Sequence, residues 1–580
     1  MTQTKFKLNR KALFGLMVLA AIGAAPVHAA TFNVVPTLAA ADGVADDGLC
    51  SLREAMYQIN TATNYSPDCT NSSADAYGTN DTINLAAGTY NLAATGLDES
   101  WTGTAPNFTV VNNPDTMVGD IDIMKSVHIV GAGADATIIQ WDASVADIDR
   151  DRIFHVYTTA PDTVNVVIEG VTIQGGRTFE EPLAKGVASS DPNDPVLYDY
   201  YFRRAGGGVA VGAAANVAQV NPAVTGVDNS TGRGGSRRPG ESEPAGPTFS
   251  LTLTGVKVLA NQAQGDGAGI YTGSPVTATN VVVSGNTSTV NGGGVYNEGN
   301  TTISNSTISG NTAEGGGGIF LTGSNTVTIS GSTLSGNTAV GGGGISGRAG
   351  MTLKVVNSTI SGNIGSDVGA GIYSNGNVQL NFVTIAKNVA GSDSKTQGSG
   401  INMFPASQTA NSLTLKNVLL AGNMAGSDPA ALISANCGVT GGGVPVTSQG
   451  SNLSSDASCD TWLTAATDKK SVDPKIGDLA NNGGLTLTHA LLAGSPALGA
   501  GAADAAVTVD QRGVARETPP DIGAFELVTA VPPAPASTDG GGGGGCAIGG
   551  DGRLDPTLPA LLAAALGFFG WRRSNKAGNK

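Results

Sequence analysis

Thr301–Asn325 reads TTISNSTISGNTAEGGGGIFLTGSN and Thr326–Gly350 reads TVTISGSTLSGNTAVGGGGISGRAG, directly after Val276–Asn300, which reads VTATNVVVSGNTSTVNGGGVYNEGN. Three consecutive segments share their apolar, glycine and asparagine positions, and self-similarity at a fixed period marks a repeat architecture. The asparagine of the SGN element recurs at Asn286, Asn311, Asn337 and Asn363, with variants at Asn261, Asn388 and Asn423. Inside each unit the short runs Thr302-Ile303, Thr307-Ile308 and Ile319-Phe320 mix β-branched or aromatic residues with small polar ones. Period-two alternation turns Val and Ile inward and Ser, Thr and Asn outward. A helix is excluded, because Gly-Asn or Gly-Gly cuts every run within a few residues. The sequence predicts an all-β fold, a right-handed parallel β-helix in which each unit is one turn. Glycine and asparagine suit its corners because both tolerate positive φ. Stacked carboxamides also hydrogen-bond up an axis, so Asn286, Asn311, Asn337 and Asn363 are read as a structural column.

The pattern weakens outward from this centre but persists, in Asp120–Val130 (DIDIMKSVHIV), Ile138–Trp141, Val164–Ile173 and Leu413–Asn423, giving a body over 81–453. Two insertions interrupt it, 177–205 and 213–247. Before it, basic residues Lys5, Lys7, Arg10 and Lys11, an apolar stretch and small residues near Ala29 form a signal peptide over 1–29. The segment 30–80 is an N-terminal cap, needed because a solenoid end exposes unpaired strands. Within it Ser51 and Glu54 make a capping box, and Leu52, Ala55, Met56 and Ile59 form one apolar face, so Leu49–Asn60 is expected as a short helix. The region 454–527 is a C-terminal cap, 528–545 a Pro/Gly linker, and 546–580 a tail with Cys546, an apolar block and a basic end. Cys50 with Cys69 and Cys437 with Cys459 are expected as local disulfides, each closing roughly 20 residues and contributing on the order of 3 kcal/mol.

CSLREAMYQIN at Cys50–Asn60 resembles the CSLREA domain found at the start of exported bacterial β-helix proteins. Asn481–Gly484, Gly494–Ala497, Asp510–Gly513 and Asp521–Glu526 resemble the choice-of-anchor Q domain that closes such proteins. The ISGNTA and GGGI elements are similar to β-helix repeats of the pectate-lyase-like superfamily and of polymorphic outer-membrane adhesins. The tail resembles the cysteine-containing sorting signals of Gram-negative bacteria. That likeness implies Cys546 as the processing or lipid-attachment residue and a sorting protease as partner, with a membrane engaged through the tail only before or without processing. Together the resemblances imply export to the cell surface, the outer membrane or the extracellular space. They imply fold and location more strongly than activity.

Composition narrows function. Charged residues are 13% of the chain against about 25% in ordinary domains. The net charge is −15, and no basic stripe is present to displace counterions, which argues against nucleic acid. Between Leu251 and Asn423 charged residues stand singly, without the carboxylate cluster that a lyase or hydrolase needs. His128, His155 and His489 fall in strand-like or cap segments and read as structural. No catalytic residue is assigned. The insertion from Arg177 instead concentrates Phe179, Glu180, Glu181, Tyr198, Tyr200, Tyr201, Arg203 and Arg204, side chains suited to a carbohydrate. The favoured expectation is an adhesin or ligand-binding rod for an extracellular polysaccharide or host ligand, with a polysaccharide lyase or glycoside hydrolase as the alternative. No cofactor or metal is implied. Asp42, Asp46 and Asp47, or Asp191 and Asp194, are Ca²⁺ candidates that match no EF-hand loop.

Overall fold

The computed structural model describes residues 29–36, 47–73, 75–77, 81–95, 99–104, 107–112, 118–158, 162–178, 206–211, 248–391, 397–406 and 411–528. The chain divides into two compact units: Met1–Val282 with Thr287–Thr289 and Val295–Thr302, and Val283–Asn286, Val290–Gly294 and Ile303–Lys580. Each is a right-handed parallel β-helix, the hand that parallel crossovers take.

In the first unit a flank sheet runs Thr31–Val34, Asp81–Leu85, Val127–Gly131, Thr163–Glu169, Thr248–Thr254 and Val276–Thr279, each strand parallel to the next. Its first strand therefore lies in the segment read as the N-terminal cap. A face sheet of three-residue strands stacks Ile121–Ile123, Phe154–Val156, Val209–Val211, Ile270–Thr272 and Val295–Asn297.

Helix α1 (Leu52–Thr61) carries the expected capping box: the Ser51 hydroxyl accepts from the Glu54 N–H, and Glu54 accepts from the Ser51 N–H. The Cys50–Cys69 disulfide closes its surroundings. Arg53, fully buried, donates to the carbonyls of Val118, Gly119 and Asp120 at 3.2, 2.8 and 2.8 Å. Asn60 donates to the Asp122 carbonyl and accepts from the Met124 N–H, both at 2.9 Å. The helix thus supplies, through two side chains, bonds that another strand would give to Ile121–Ile123.

In the second unit the face strands are Ile319–Leu321, Ile345–Gly347, Ile372–Ser374, Ile401–Met403 and Cys437–Val439. Its flank strands include Thr326–Ser330, Thr352–Ser361, Asn377–Ala386, Ser412–Lys416 and Val446–Ser448. Thr307 pairs with Thr333 and Ile319 with Ile345, so the two quoted segments lie rung on rung. Ile319, Leu321, Val327, Ile329, Leu353 and Val355 are fully buried in the shaft.

The two properties assigned to asparagine fall on different asparagines. The ladder residues are buried: Asn311 Oδ1 accepts from the Asn286 backbone and side-chain amides at 3.0 and 2.9 Å. Asn311 Nδ2 donates to Asn337 Oδ1 and to the Val283 carbonyl at 2.9 and 3.0 Å. The pattern repeats through Asn363, Asn388, Asn423 and Asn436. It ends where the Asn436 N–H meets the Asp456 carboxylate, an acceptor with no further coil to serve. Positive φ belongs to the preceding residue, Gly310 or Gly336, and to a separate set such as Asn305 and Asn357. Glycine before each face strand answers a close approach: a Cβ on Gly318 would stand 2.6 Å from the Gly344 carbonyl oxygen.

The Cys437–Cys459 disulfide secures the last coil. The chain then returns along the flank, led by the antiparallel pair Ile476–Ala480 and Thr488–Leu491. Gln511 donates to Thr333 Oγ1 and accepts from Thr359 Oγ1. The Asp510 carboxylate accepts from the Arg512 side chain and from the Glu526 N–H, both at 2.9 Å. Arg516 lies 3.8 Å over the Phe382 ring and pairs with Glu526 at 3.1 Å. The C-terminal motif residues therefore tie the returning segment to itself and to the coils.

Candidate functional site: the outward face of the coils

The sequence-derived binding candidates Phe179, Glu180, Glu181, Tyr198, Tyr200, Tyr201, Arg203 and Arg204 lie outside the described residues, as do the insertion at 213–247, Cys546, Asp42, Asp46, Asp191 and Asp194. Asp47 is described, and its carboxylate accepts from the Leu49 N–H at 2.9 Å. Both insertions adjoin Val209–Val211, a strand of the face sheet.

In a three-residue strand the outer two side chains enter the shaft and the middle one faces away. In the first unit those middle residues are Asp122, His155 and Ala210, which are buried, and Tyr271 and Tyr296, which are half-buried, all held in register. Tyr271 and Tyr296 stack with ring centroids 5.2 Å apart and planes 7° from parallel. The Tyr296 hydroxyl donates to Glu298 Oε1 at 2.9 Å. Burial first, and then the carboxylates of Glu298 and Asp266, push its pKa up, so it stays a neutral donor. In the second unit the corresponding residues are Phe320, Ser346, Tyr373 and Asn402. Arg348 lies 5.2 Å over the Phe320 ring, and Tyr373 stacks on Phe404 at 4.4 Å.

A second grouping escaped the sequence reading. Asp120 and Asp122, separated by inward Ile121, meet Arg152 and His155 from the next coil. Arg152 Nε lies 2.7 Å from Asp120 Oδ2, with both side chains 1% exposed. His155 Nδ1 lies 3.3 Å from Asp122 Oδ1, and the His155 ring stacks on Tyr157 at 4.6 Å. These carboxylates stand in the first coils, ahead of the regular coils after Leu251 in which charged residues stand singly. The signal was available as Asp-Ile-Asp-Ile followed by His-Val-Tyr, two alternating strands with polar outer positions. Ligand atoms of Asp120, Asp122 and His155 lie within 4.8 Å of one another, a spacing compatible with a cation. Arg152 already faces Asp120, so the arrangement also works as a structural pairing of Asp120 with Arg152 and of Asp122 with His155.

The coils and their outward column place the protein among right-handed β-helices. Residues 266–458 match a family model described as a right handed beta helix region. A crystal structure of pectate lyase Pel9A is similar at 14% identity and TM-score 0.36, covering 77% of this chain and 88% of that one. The A-modules of the Azotobacter vinelandii mannuronan C-5 epimerases AlgE6 and AlgE4 are each 14% identical, with TM-scores of 0.28 and 0.30. They cover 73% and 71% of this chain and 99% of each module. No curated protein matches the chain.

Proposed function

We propose that this is an exported β-helix protein of the pectate-lyase-like superfamily, held at the surface of a Gram-negative cell, whose outward face binds a carbohydrate. The observation that carries this reading is the stacked pair Tyr271 and Tyr296 with Glu298 on the Tyr296 hydroxyl. Rigid tyrosines give large amphipathic contact area at little entropic cost. A carboxylate beside them supplies an acceptor for sugar hydroxyls. The insertion 177–205, whose aromatic and charged side chains suit a carbohydrate, precedes Val209–Val211 of the same sheet in the sequence. Export is supported by the basic-then-apolar start, by the CSLREA, choice-of-anchor Q and sorting-tail resemblances, and by two disulfides, which persist in oxidising compartments.

A glycan array together with uronic-acid polymers, scored for retention and cleavage, tests the binding reading. Retention should fall about tenfold or more in Tyr271→Ala and Tyr296→Ala, a loss of roughly 1.4 kcal/mol. Retention unchanged in both would refute it. The Asp120, Asp122, Arg152 and His155 cluster favours a second, hydrolytic or lytic reading. Under that reading a polymer is turned over and Asp122→Asn abolishes the turnover.

A further inference from the structure

Asp81 opens the flank strand Asp81–Leu85 and is fully buried, and its Oδ1 accepts from the Ala30 backbone N–H at 2.8 Å. Ala30 is held on its other sides as well. Its methyl group is fully buried, its carbonyl accepts from the Thr82 N–H at 2.8 Å, and the next residue, Thr31, begins the strand that pairs with Asp81–Leu85. The Thr31 N–H in turn donates to Asn71 Oδ1 at 3.1 Å. Ala29, one residue earlier, is only half-buried, and its carbonyl accepts from the Ser73 hydroxyl at 3.1 Å. The tightly held part of the first coil therefore begins at the Ala30 nitrogen.

We propose that the bond between Ala29 and Ala30 is a processing site, and that the α-ammonium released there pairs with the buried Asp81 carboxylate and locks the first coil. The inference rests on the export reading above, in which a signal peptidase removes residues 1–29. Val27 and Ala29, three and one before the bond, fit the small-residue site that such a peptidase reads. The position of Asp81 is an independent observation that falls on the same bond. In the hydrolysis the Ala29 carboxyl takes the oxygen of water and departs with the leader, while the Ala30 nitrogen takes both of its protons, so an amide N–H becomes an ammonium. An amide gives a buried carboxylate one neutral donor, whereas an ammonium gives it the opposite charge and a shorter, stronger bond. Cleavage one residue later would remove the nitrogen that meets Asp81, and cleavage one residue earlier would leave it an amide.

The test compares purified chains that run from Ala30 to Lys580, released from a fusion by a protease that leaves no residue behind, with chains that keep Val27–Ala29 in front, each with Asp81 and with Asp81→Asn. Asparagine still accepts from an amide but offers no charge to an ammonium. The chain that begins at Ala30 should melt above the extended one, and Asp81→Asn should remove that difference. Equal melting temperatures for the two parent chains, or equal losses from Asp81→Asn in both, would overturn the pairing, and the parent comparison decides even where the variant fails to fold. Amine reactivity gives a second readout. In the folded chain that begins at Ala30, the α-amine should acetylate about tenfold or more faster in Asp81→Asn than in the parent, and equal rates would also overturn the pairing. In producing cells, mass spectrometry of the N-terminal peptide should find Ala30 first on exported protein, and any other first residue would overturn the processing site. An uncleaved leader on protein retained in the cell would instead refute export, while the purified chains, which need no export, still decide the pairing.

Discussion

Asn305 and Asn311 stand six positions apart in one coil and do different work. Asn305 has φ 52°, a left-handed conformation that asparagine tolerates and glycine prefers. Asn311 is buried and its carboxamide accepts two bonds and donates two. Asn311→Ala would leave several buried polar groups without partners, at about 1–3 kcal/mol each. Asn305→Gly should change stability by no more than about 1 kcal/mol, in the stabilising direction. Melting temperatures of the two variants check the contrast, and equal losses would mean that the ladder bonds matter no more than the turn. The ladder column was legible in the sequence because it recurs in each coil beside the same neighbours. Which asparagines turn the chain was less legible, since Asn305 and Asn357 follow different residues, Ser304 and Val356, whereas the ladder residues Asn311, Asn337 and Asn363 each follow a glycine.

The cap helix shows the same division between local and distant information. Its start follows from Ser51 and Glu54, a signal contained within four residues, so helix α1 begins at Leu52 and not at the expected Leu49, and it ends at Thr61. The work of Arg53 and Asn60 is invisible locally, because their partners lie 62 to 67 residues downstream. Only the stacking of Ile121–Ile123 at the edge of the face sheet gives these side chains a row of open backbone groups to meet. Asn60→Ala should remove the acceptor of the Met124 N–H while leaving the capping box intact. Hydrogen exchange is the direct readout. The Met124 amide should lose protection, while amides of Phe154–Val156, paired on the inner side, keep theirs. Protection unchanged at Met124 would show that α1 does not seal the edge. The Asp120, Asp122, Arg152 and His155 cluster was missed for a related reason: its members are unremarkable singly, and only coil-to-coil register brings them within ion-pair distance.

At the scale of the whole chain, the repeated body was readable because every coil restates the rule, but the return of the C-terminal segment along the flank was not. Its anchors, Gln511 to Thr333 and His489 to Ser361, join residues 178 and 128 positions apart, and no periodicity announces them. One anchor makes the docking sensitive to pH. The His489 ring is buried, with Nδ1 2.8 Å from the Gly477 carbonyl and Nε2 2.8 Å from Ser361 Oγ. A carbonyl only accepts, so Nδ1 carries the proton and Nε2 accepts from the serine hydroxyl. Burial chiefly lowers the His489 pKa below 6.5; Lys387 adds to this, while the Gly477 bond and Asp478 oppose it. The unfolded chain therefore takes up this proton at higher pH than the folded one. The histidine contributes its full stability above about pH 6.5 and loses it as pH falls through the lower folded value. Asp478 and Asp504, held below their usual 3.8 by lysine partners, lose their contributions only in stronger acid. Burial raises Asp521 and Glu526, which act in the opposite direction as pH falls. The histidine effect is isolated by comparing the parent with His489→Gln from about pH 8 to about pH 5. The parent should lose stability relative to the variant as the pH falls below about 6.5, and parallel curves would show that the docked segment does not depend on a neutral imidazole.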